Sequence, residues 1–281
     1  MPAAKKTSPK KVAPKKKKQP GKLIWRLLLV GLLIIGLSPF YYGYVLKTFS
    51  YTWQWFRDLR GNPRYRTYKS FNISIPSQYN LHGIDVSYAQ GRINWPKVKA
   101  MQEDSIHINF AFIKATEGLL KVDPYFKRNW REAPKAGIVC GAYHFLRANR
   151  SGFWQARFFL QNADIEAGDL PPVADVETLD GVSPDVMRQN VKAFLTQVEA
   201  KTKTRPIIYT TLSFYATYLA GYFNDYPLWL AHYNQADLHV GQLSWLFWQH
   251  SDKANVNGIN HVVDFNAFKG DSLSFRQILV Q

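Results

Sequence analysis

Cysteine is almost absent from this chain of 281 residues, in which Cys140 is the only one. A single thiol excludes an intrachain disulfide, and its apolar surroundings predict a small buried side chain. The histidines His144, His232, His250 and His261 form no cluster in the sequence and are interpreted as hydrogen-bonding residues near strand ends. We therefore expect neither a metal ion nor another cofactor.

The first 50 residues lack aspartate and glutamate entirely, although they hold eleven of the 36 Lys and Arg. The rest of the chain combines 25 basic residues with all 20 acidic ones, a net charge of +5 with His neutral. This mildly basic balance suits an acidic polymer but does not single out a nucleic acid. The lysine-rich start directly precedes an apolar span, so the positive-inside rule explains it without a nucleic-acid partner, and none is expected.

Residues 1–22 contain no aromatic residue, which predicts a disordered basic tail. Residues 23–46 carry a single charge, Arg26, and as a helix would span about 36 Å against a hydrocarbon core of about 30 Å. The uninterrupted apolar part, residues 27–37, is short enough for a signal peptide, but no A-x-A cleavage motif follows it, which favours an uncleaved transmembrane anchor. Ten basic residues before Leu27 place the tail in the cytoplasm and the remaining chain on the outer or periplasmic side of the cell (inner or cytoplasmic) membrane.

Residues 47–80 lack sustained periodicity and are interpreted as a juxtamembrane spacer, so the folded domain is expected to cover residues 81–281. In that domain, strand-like runs alternate with helical patterns, which predicts an α/β fold with a parallel sheet. Eight strands favour an irregular TIM-like (β/α) barrel, preceded in the chain by the single transmembrane helix. The predicted strands are 83–86, 106–115, 138–146, 173–176, 206–210, 228–233, 245–249 and 262–265, and the predicted helices are 95–103, 124–136, 152–167, 184–202 and 212–222.

One short stretch places two carboxylates close together. Pro171 and Pro172 end any preceding helix, and the apolar run at 173–176 predicts a buried strand. Asp175 and Glu177 are two residues apart, so they share one face of that strand, with Cα atoms about 6.6 Å apart. At this distance one ionised carboxylate raises the pKa of the other, which favours a proton donor. Taken alone, the pattern is more typical of a helix cap at Asp175 and a solvated Glu177.

Further polar residues lie at the ends of the other predicted strands. In a parallel barrel the carboxyl ends of the strands meet at one mouth, so residues from distant parts of the chain converge there. Asp85 and Asp264 lie in otherwise apolar strands, where burying a carboxylate is costly. Each could singly be a salt bridge or a cap, but their coincidence at one mouth favours a functional site. The residues expected there are Asp85, Glu117, Tyr143, His144, Asp175, Glu177, Tyr209, Trp229, His232, Gln249 and Asp264.

Eight short motifs contain these residues. They are HGIDVS at 82–87, FIKATEG at 112–118, GAYHF at 141–145, PVADVE at 172–177, YT at 209–210, LWLAHY at 228–233, FWQH at 247–250 and VDFNAF at 263–268. Together and in this order they resemble the family 25 glycoside hydrolases, the Chalaropsis-type lysozymes. The resemblance implies an irregular β/α barrel that cleaves peptidoglycan after N-acetylmuramic acid. It covers about residues 81–268 and leaves out the first 80.

The resemblance also implies roles for individual residues. Glu177 would donate the proton, Asp175 would be its partner, and Asp85 and Asp264 would line the same acidic groove. Asp175 then either attacks the sugar carbon or steers the N-acetyl group of the substrate, and the sequence leaves both open. If Asp175 and Asp264 stay ionised, they keep Glu177 protonated near neutral pH. The candidates for substrate binding are Glu117, Tyr143, Tyr209, Tyr233, Trp248 and Gln249.

The expected function is therefore that of a membrane-anchored muramidase. It would cleave the β-1,4 bond between N-acetylmuramic acid and N-acetylglucosamine by carboxylate acid/base catalysis, in cell-wall remodelling or lysis. The expected partners are peptidoglycan and, through residues 23–46, the membrane, and a monomer is expected. The alternative is a non-catalytic membrane-anchored glycan-binding protein, which a broken acidic cluster would favour.

Overall fold

The computed structural model describes residues 25–26, 64–233, 235, 237, 238, 240 and 243–281. The predicted tail, nearly all of the predicted membrane span and residues 47–63 of the predicted spacer lie outside the described residues. Within the described ranges, no helix has both the length and the apolar character that a membrane crossing requires. All of the strands named below belong to one compact unit, Arg60–Gln281.

The described part of the chain contains twelve strands and six short or medium α-helices. The strands are β1 (Tyr65–Tyr68), β2 (Ile73–Pro76), β3 (Leu81–Val86), β4 (Gln102–Glu103), β5 (Ile106–Glu117), β6 (Lys121–Val122), β7 (Val139–Phe145), β8 (Val173–Asp175), β9 (Ile207–Thr211), β10 (Leu228–Ala231), β11 (Trp245–Ala254) and β12 (Val263–Phe268). The helices are α1 (Trp95–Ala100), α2 (Phe126–Lys135), α3 (Gly152–Asn162), α4 (Pro184–Thr202), α5 (Leu212–Phe214) and α6 (Ser272–Gln277), with a π-helical turn at Tyr215–Leu219 after α5.

Eight of these strands close into a barrel in the order β3, β12, β11, β10, β9, β8, β7, β5 and back to β3. This confirms the eight predicted strands and the barrel. The prediction of a wholly parallel sheet was wrong for β12, which pairs antiparallel with both β11 and β3. Only residues 255–262 connect β11 to β12, fewer than the dozen or so that a crossover between parallel strands needs.

The reversal of β12 decides where its polar residues lie. An antiparallel strand begins at the mouth where its parallel neighbours end. Asp264, near the start of β12, is therefore the register partner of Asp85, near the end of β3. Two carboxyl groups that are 179 positions apart in the sequence face each other because of this one change of direction.

Aromatic side chains fill the inside of the barrel, beneath the mouth. Phe112 stacks on Trp229 with ring centroids 4.3 Å apart, and Phe110 meets Phe247 edge to face at 5.1 Å. Gly83 makes this packing possible, since a Cβ atom there would come within 2.4 Å of the Phe110 ring. The interior is thus a packed core and not a pore, so a ligand can enter only at the mouth.

Residues 64–80 differ from the spacer that the sequence suggested for them. β1 and β2 pair as an antiparallel hairpin, and Phe71 between them is fully buried, with its ring 5.4 Å from that of Phe265. The amide of Asn255 also donates to the Phe71 carbonyl at 2.9 Å. Strands of only four residues give too little periodicity to be detected in the sequence. The folded domain therefore begins before residue 81, and a spacer can extend only over residues 47–63.

Truncating Phe71 tests whether the hairpin belongs to the folded domain. Phe71→Ala removes a fully buried ring and should lower the free energy of unfolding by about 3 to 4 kcal/mol, measured by denaturant titration. Lys69→Ala, at an exposed position in the turn of the same hairpin, is the control and should cost less than about 0.5 kcal/mol. Equal small losses in both variants would show that the hairpin packs only loosely.

Candidate active site

A cavity of about 220 Å³ opens at the mouth of the barrel. Eight of the ten site residues predicted from the sequence line it, which are Asp85, Tyr143, Asp175, Glu177, Tyr209, Tyr233, Gln249 and Asp264. The remaining lining residues are Lys114, Phe145 and Trp229. Lys114 and Phe145 had not been singled out, although both lie within motifs that carry the family resemblance. Trp229 was expected at the mouth. Of the predicted residues, Glu117 and Trp248 lie outside the lining, as do His144 and His232, which were also expected at the mouth.

The Asp85 carboxyl group is held by two side-chain amides. Gln249 Nε2 and Asn266 Nδ2 each donate to Asp85 Oδ2 at 2.8 Å. The other end of the Gln249 amide accepts hydrogen bonds from the hydroxyl groups of Tyr209 at 2.8 Å and Tyr233 at 2.6 Å. Both tyrosines therefore act partly through Gln249, by fixing the amide orientation that Asp85 requires.

Asn266 was not recognised as a site residue in the sequence. Its Oδ1 accepts from Trp229 Nε1 at 2.8 Å, which leaves its Nδ2 to donate to Asp85. Asn266 is fully buried on β12, two positions after Asp264 and thus on the same face of that strand. A buried amide at this spacing from a carboxylate was the available sequence signal.

Asp264 and Asp85 form a carboxyl pair across the β3–β12 register. Burial, and next the negative charge of Asp85, raise the pKa of Asp264 to about 8. Burial also raises the pKa of Asp85 to about 6, against the hydrogen bonds from Asn266 and Gln249 that favour its ionised form. Asp264 therefore holds a proton at neutral pH and hydrogen-bonds Asp85, unlike the ionised Asp264 that the sequence suggested.

Asp175 and Glu177 both line the cavity, as their spacing predicted. Asp175 ends β8 and is 5% exposed, and its Oδ1 atom has no hydrogen-bond partner among the described residues. Burial, and next the charge of Glu177, raise the pKa of Asp175 well above its ordinary value. Burial also raises the pKa of Glu177, while the ammonium group of Lys114 opposes that rise. The pair therefore retains at least one proton near neutral pH.

Glu117 serves the site from outside the cavity. Its carboxylate is bound by Arg147 at 2.6 Å, Lys114 at 2.9 Å and Lys121 at 3.2 Å. Although burial opposes it, the hydrogen bonds from Lys114 and Arg147 lower the pKa of Glu117 to about 2. Three cations thus hold Glu117 as an anion in an ion-pair network, and its expected contact with substrate stays a prediction.

Trp248 lies on the outer face of the barrel wall. Its neighbour Gln249 points into the cavity, so alternation along β11 turns Trp248 the other way. The indole is fully buried, donates to the His232 carbonyl at 2.8 Å and meets the Tyr79 ring edge to face at 6.0 Å. It belongs to the packing under the hairpin, and the expectation of a sugar-binding platform at this residue was wrong.

The lining chemistry defines a class of protein. Within the described residues, no set of three or more His, Cys, Asp and Glu side chains is arranged to hold a metal ion. What the cavity offers is four carboxyl groups in two neighbouring pairs, together with a ring of tyrosines and a tryptophan. Paired carboxyl groups with raised pKa values, at the mouth of a barrel, are typical of hydrolases that cleave glycosidic bonds.

Comparison with known proteins agrees with this class. The model of glycosyl hydrolases family 25 matches residues 84–259. Lysozyme M1 of Streptomyces globisporus is 38% identical over 68% of this chain and 69% of its own length. YegX of Escherichia coli (strain K12) is 50% identical over 73% of this chain and 76% of its own length. The chain belongs to glycosyl hydrolases family 25 and is a glycosidase of the lysozyme type.

Solved structures of this family share the fold. The bacterial lysozyme from Streptomyces coelicolor superposes with a TM-score of 0.65 at 35% identity, covering 71% of this chain and 96% of that one. A family 25 glycosyl hydrolase from Bacillus anthracis gives a TM-score of 0.66 at 28% identity, with coverage of 72% and 95%. The matching region is thus the barrel, and most of each neighbour is contained in it.

The raised pKa of Asp264 in the Asp85–Asp264 pair predicts that this part of the active site destabilises the fold at alkaline pH. Because the folded pKa of Asp264 is about 8, above its ordinary 3.8, the stabilisation from its proton is complete below pH 3.8 and is lost as pH rises through 8. Asp264→Asn cannot ionise, so the variant does not lose this stabilisation as pH rises. Relative to the native chain, it should gain up to about 5 kcal/mol in unfolding free energy between pH 4 and pH 9, since about four units of the raised pKa count at about 1.36 kcal/mol each.

Denaturant titrations at the two pH values measure this gain. Asp225→Asn, at an exposed position outside the cavity, is the control and should change stability little at either pH. An Asp264→Asn variant whose stability difference from the native chain is the same at both pH values would contradict the raised pKa.

Proposed function

We propose that this glycosidase hydrolyses the β-1,4 bond between N-acetylmuramic acid and N-acetylglucosamine in peptidoglycan. The observation that carries the proposal is the Asp175–Glu177 pair, which lines the cavity at the barrel mouth with Asp175 buried, Glu177 half-buried and both pKa values raised. Relatives named lysozyme and N,O-diacetylmuramidase, at 38% and 27% identity, support this choice of substrate. The cavity has room for about one sugar ring, so the remaining polymer lies across the open mouth.

Glu177 is assigned as the proton donor. The leaving-group oxygen must be protonated as the glycosidic bond breaks, and a carboxyl group with a raised pKa is still protonated at the pH of the reaction. Glu177 follows the end of β8 and is less buried than Asp175, which places it nearer to an incoming polymer. Loss of the proton then leaves a carboxylate that can accept one from water in the second half of the reaction.

Asp175 is assigned as the partner of Glu177. In its ionised form it either attacks the anomeric carbon or orients the acetamido group of the substrate for that attack, and both routes need its carboxylate beside the sugar. Its Oδ1 atom, unpartnered in the described structure, supports a role that is completed by substrate. Asp85, whose ionised form is favoured by the amides of Gln249 and Asn266, adds negative potential for the positive charge that develops on the sugar.

Replacing the two carboxyl groups tests the assignment. Glu177→Gln cannot deliver a proton and should lower the release of reducing ends from purified peptidoglycan by at least about 100-fold, with Asp175→Asn nearly as damaging. Glu166→Gln, at an exposed site outside the cavity, is the control and should retain full activity. Glu177→Gln should still sediment with the wall polymer. A native chain that binds walls but releases no reducing ends would instead support the glycan-binding alternative.

The barrel is further assigned to the outer or periplasmic side of the cell membrane, held there by residues 23–46. Ten positive charges before Leu27 and the apolar span after them support this topology. Because the domain already includes residues 64–80, the spacer is reduced to the 17 residues 47–63, with a reach of at most about 58 Å at about 3.4 Å per residue. A tether of that length restricts hydrolysis to wall close to the membrane, which suits local remodelling.

Fractionation of the full-length protein tests the anchor. The protein should stay in the membrane pellet after washes with high salt and alkaline carbonate, and protease added to spheroplasts should degrade the barrel. Replacing both Leu33 and Ile34 by Arg should release the protein from the pellet, because each charge costs about 2.5 to 3.5 kcal/mol at the centre of a span. A protected barrel, or a soluble form that begins after residue 40, would overturn the assignment.

A further inference from the structure

Lys114 is the one cation among the described residues that line the cavity. It lies on β5 and shares the cavity with Asp85, Asp175, Glu177 and Asp264. Its side chain is 12% exposed, so water screens its charge poorly. An ammonium group enclosed with four carboxyl groups acts on all of them, and most strongly on those that lie closest to it.

A network that extends outward from the cavity wall fixes the position of this ammonium group. Lys114 Nζ donates to Glu117 Oε2 at 2.9 Å and lies 4.8 Å from the centroid of the Phe145 ring. Arg147 binds the other oxygen, Glu117 Oε1, at 2.6 Å and also lies over the Phe145 ring at 4.8 Å. Asp180 in turn holds Arg147 at 3.2 Å. Lys114 is therefore clamped between a carboxylate and an aromatic face, both of which are themselves held.

Several charged and titratable groups surround Lys114. The groups that face it are Glu117 on its own strand, Lys121 and Asp123 on and after β6, His144 and Arg147 on and after β7, and Asp175 and Glu177 at the end of β8. A second set of groups faces the Asp175–Glu177 pair. It consists of Asp85 on β3, Asp264 on β12 and the phenols Tyr143, Tyr209 and Tyr233. The charges of Glu117, Arg147, Lys121 and Asp180 sum to zero in one ion-pair network. His144 is buried, and that burial lowers its pKa to about 4.

We propose that Lys114 is a positioning residue that acts as the countercharge of the Asp175–Glu177 pair and sets the pH range over which this pair works. The proposal rests on the proposed function, because it concerns the same two carboxyl groups. Burial raises the pKa of both groups, and if both kept their protons no carboxylate would remain to assist the reaction. A fixed cation beside the pair allows one of the two protons to leave while the other stays.

Replacing Lys114 by Met tests the countercharge through the pH profile. Removing the positive charge favours the protonated form of both carboxyl groups, so the acid and alkaline limbs should both move to higher pH, by about one pH unit. The measurement is the release of reducing ends from soluble peptidoglycan fragments between pH 3.5 and 9, using the full-length protein in detergent. The ratio of variant to native rate cancels any titration of the substrate, and it should rise with pH.

Lys121→Met is the matched control. Lys121 binds the same carboxylate of Glu117 at 3.2 Å, but its side chain is 58% exposed and does not line the cavity. Its loss should leave both limbs in place. Lys114→Arg, which keeps the charge, should restore most of the native profile, whereas Lys114→Gln should show the same shift as Met and serves as the second variant if Met does not fold.

The outcomes separate this inference from the proposed function. A Lys114 variant with a uniformly lower rate and unmoved limbs would mean that Lys114 only supports the structure, and would overturn the inference. A shift of the limbs in Lys114→Arg as large as that in Lys114→Met would overturn it as well, because the charge is kept in Arg. If the native chain released no reducing ends at any pH, the proposed function itself would fail, irrespective of Lys114.

Discussion

The cost of burying four carboxyl groups in one small cavity is the constraint on which the rest of this site depends. Each group loses hydration on folding, and each ionised neighbour adds to that cost. The structure reduces this cost in two ways. Around Asp85, it supplies amide donors from Gln249 and Asn266, which favour the ionised form. Around the other carboxyl groups it supplies few donors, which favours a proton on Asp264 and on one member of the Asp175–Glu177 pair. Which carboxyl groups are protonated therefore depends on which of them receive hydrogen bonds from neighbouring side chains.

The packing below the mouth makes this arrangement rigid. The Trp229 indole both stacks on Phe112 and donates to Asn266, so a ring of the barrel core orients an amide that in turn orients Asp85. Tyr209 likewise packs against Trp229 while its hydroxyl group binds Gln249. The hydrophobic core and the polar network thus share side chains, and a change in core packing would be felt at the carboxyl groups.

Sequence reasoning located the strands and most of the site, because both follow from local patterns. Apolar runs indicated the eight strands, and of the eleven residues that converging strand ends placed at the mouth, eight line the cavity. What it missed depends on contacts across the chain. The reversal of β12 follows from its short connection, and the removal of Glu117 from the cavity follows from Arg147, which is 30 positions away. Trp248 is the exception, since strand alternation with Gln249 already predicted that the two point in opposite directions.

The same site sets a balance between stability and activity. A carboxyl group with a raised pKa stabilises the fold only while it is protonated, so ionising the site for catalysis weakens the fold in the pH range where the enzyme acts. The aromatic core directly beneath the mouth and the hairpin packed outside it offset this loss through apolar packing, which does not depend on the protons of the site. Lys114 reduces the loss in another way, since a clamped cation lowers the cost of each negative charge that the reaction requires. The ion-pair network that holds Lys114 therefore contributes to keeping carboxylates ionised in a partly enclosed cavity.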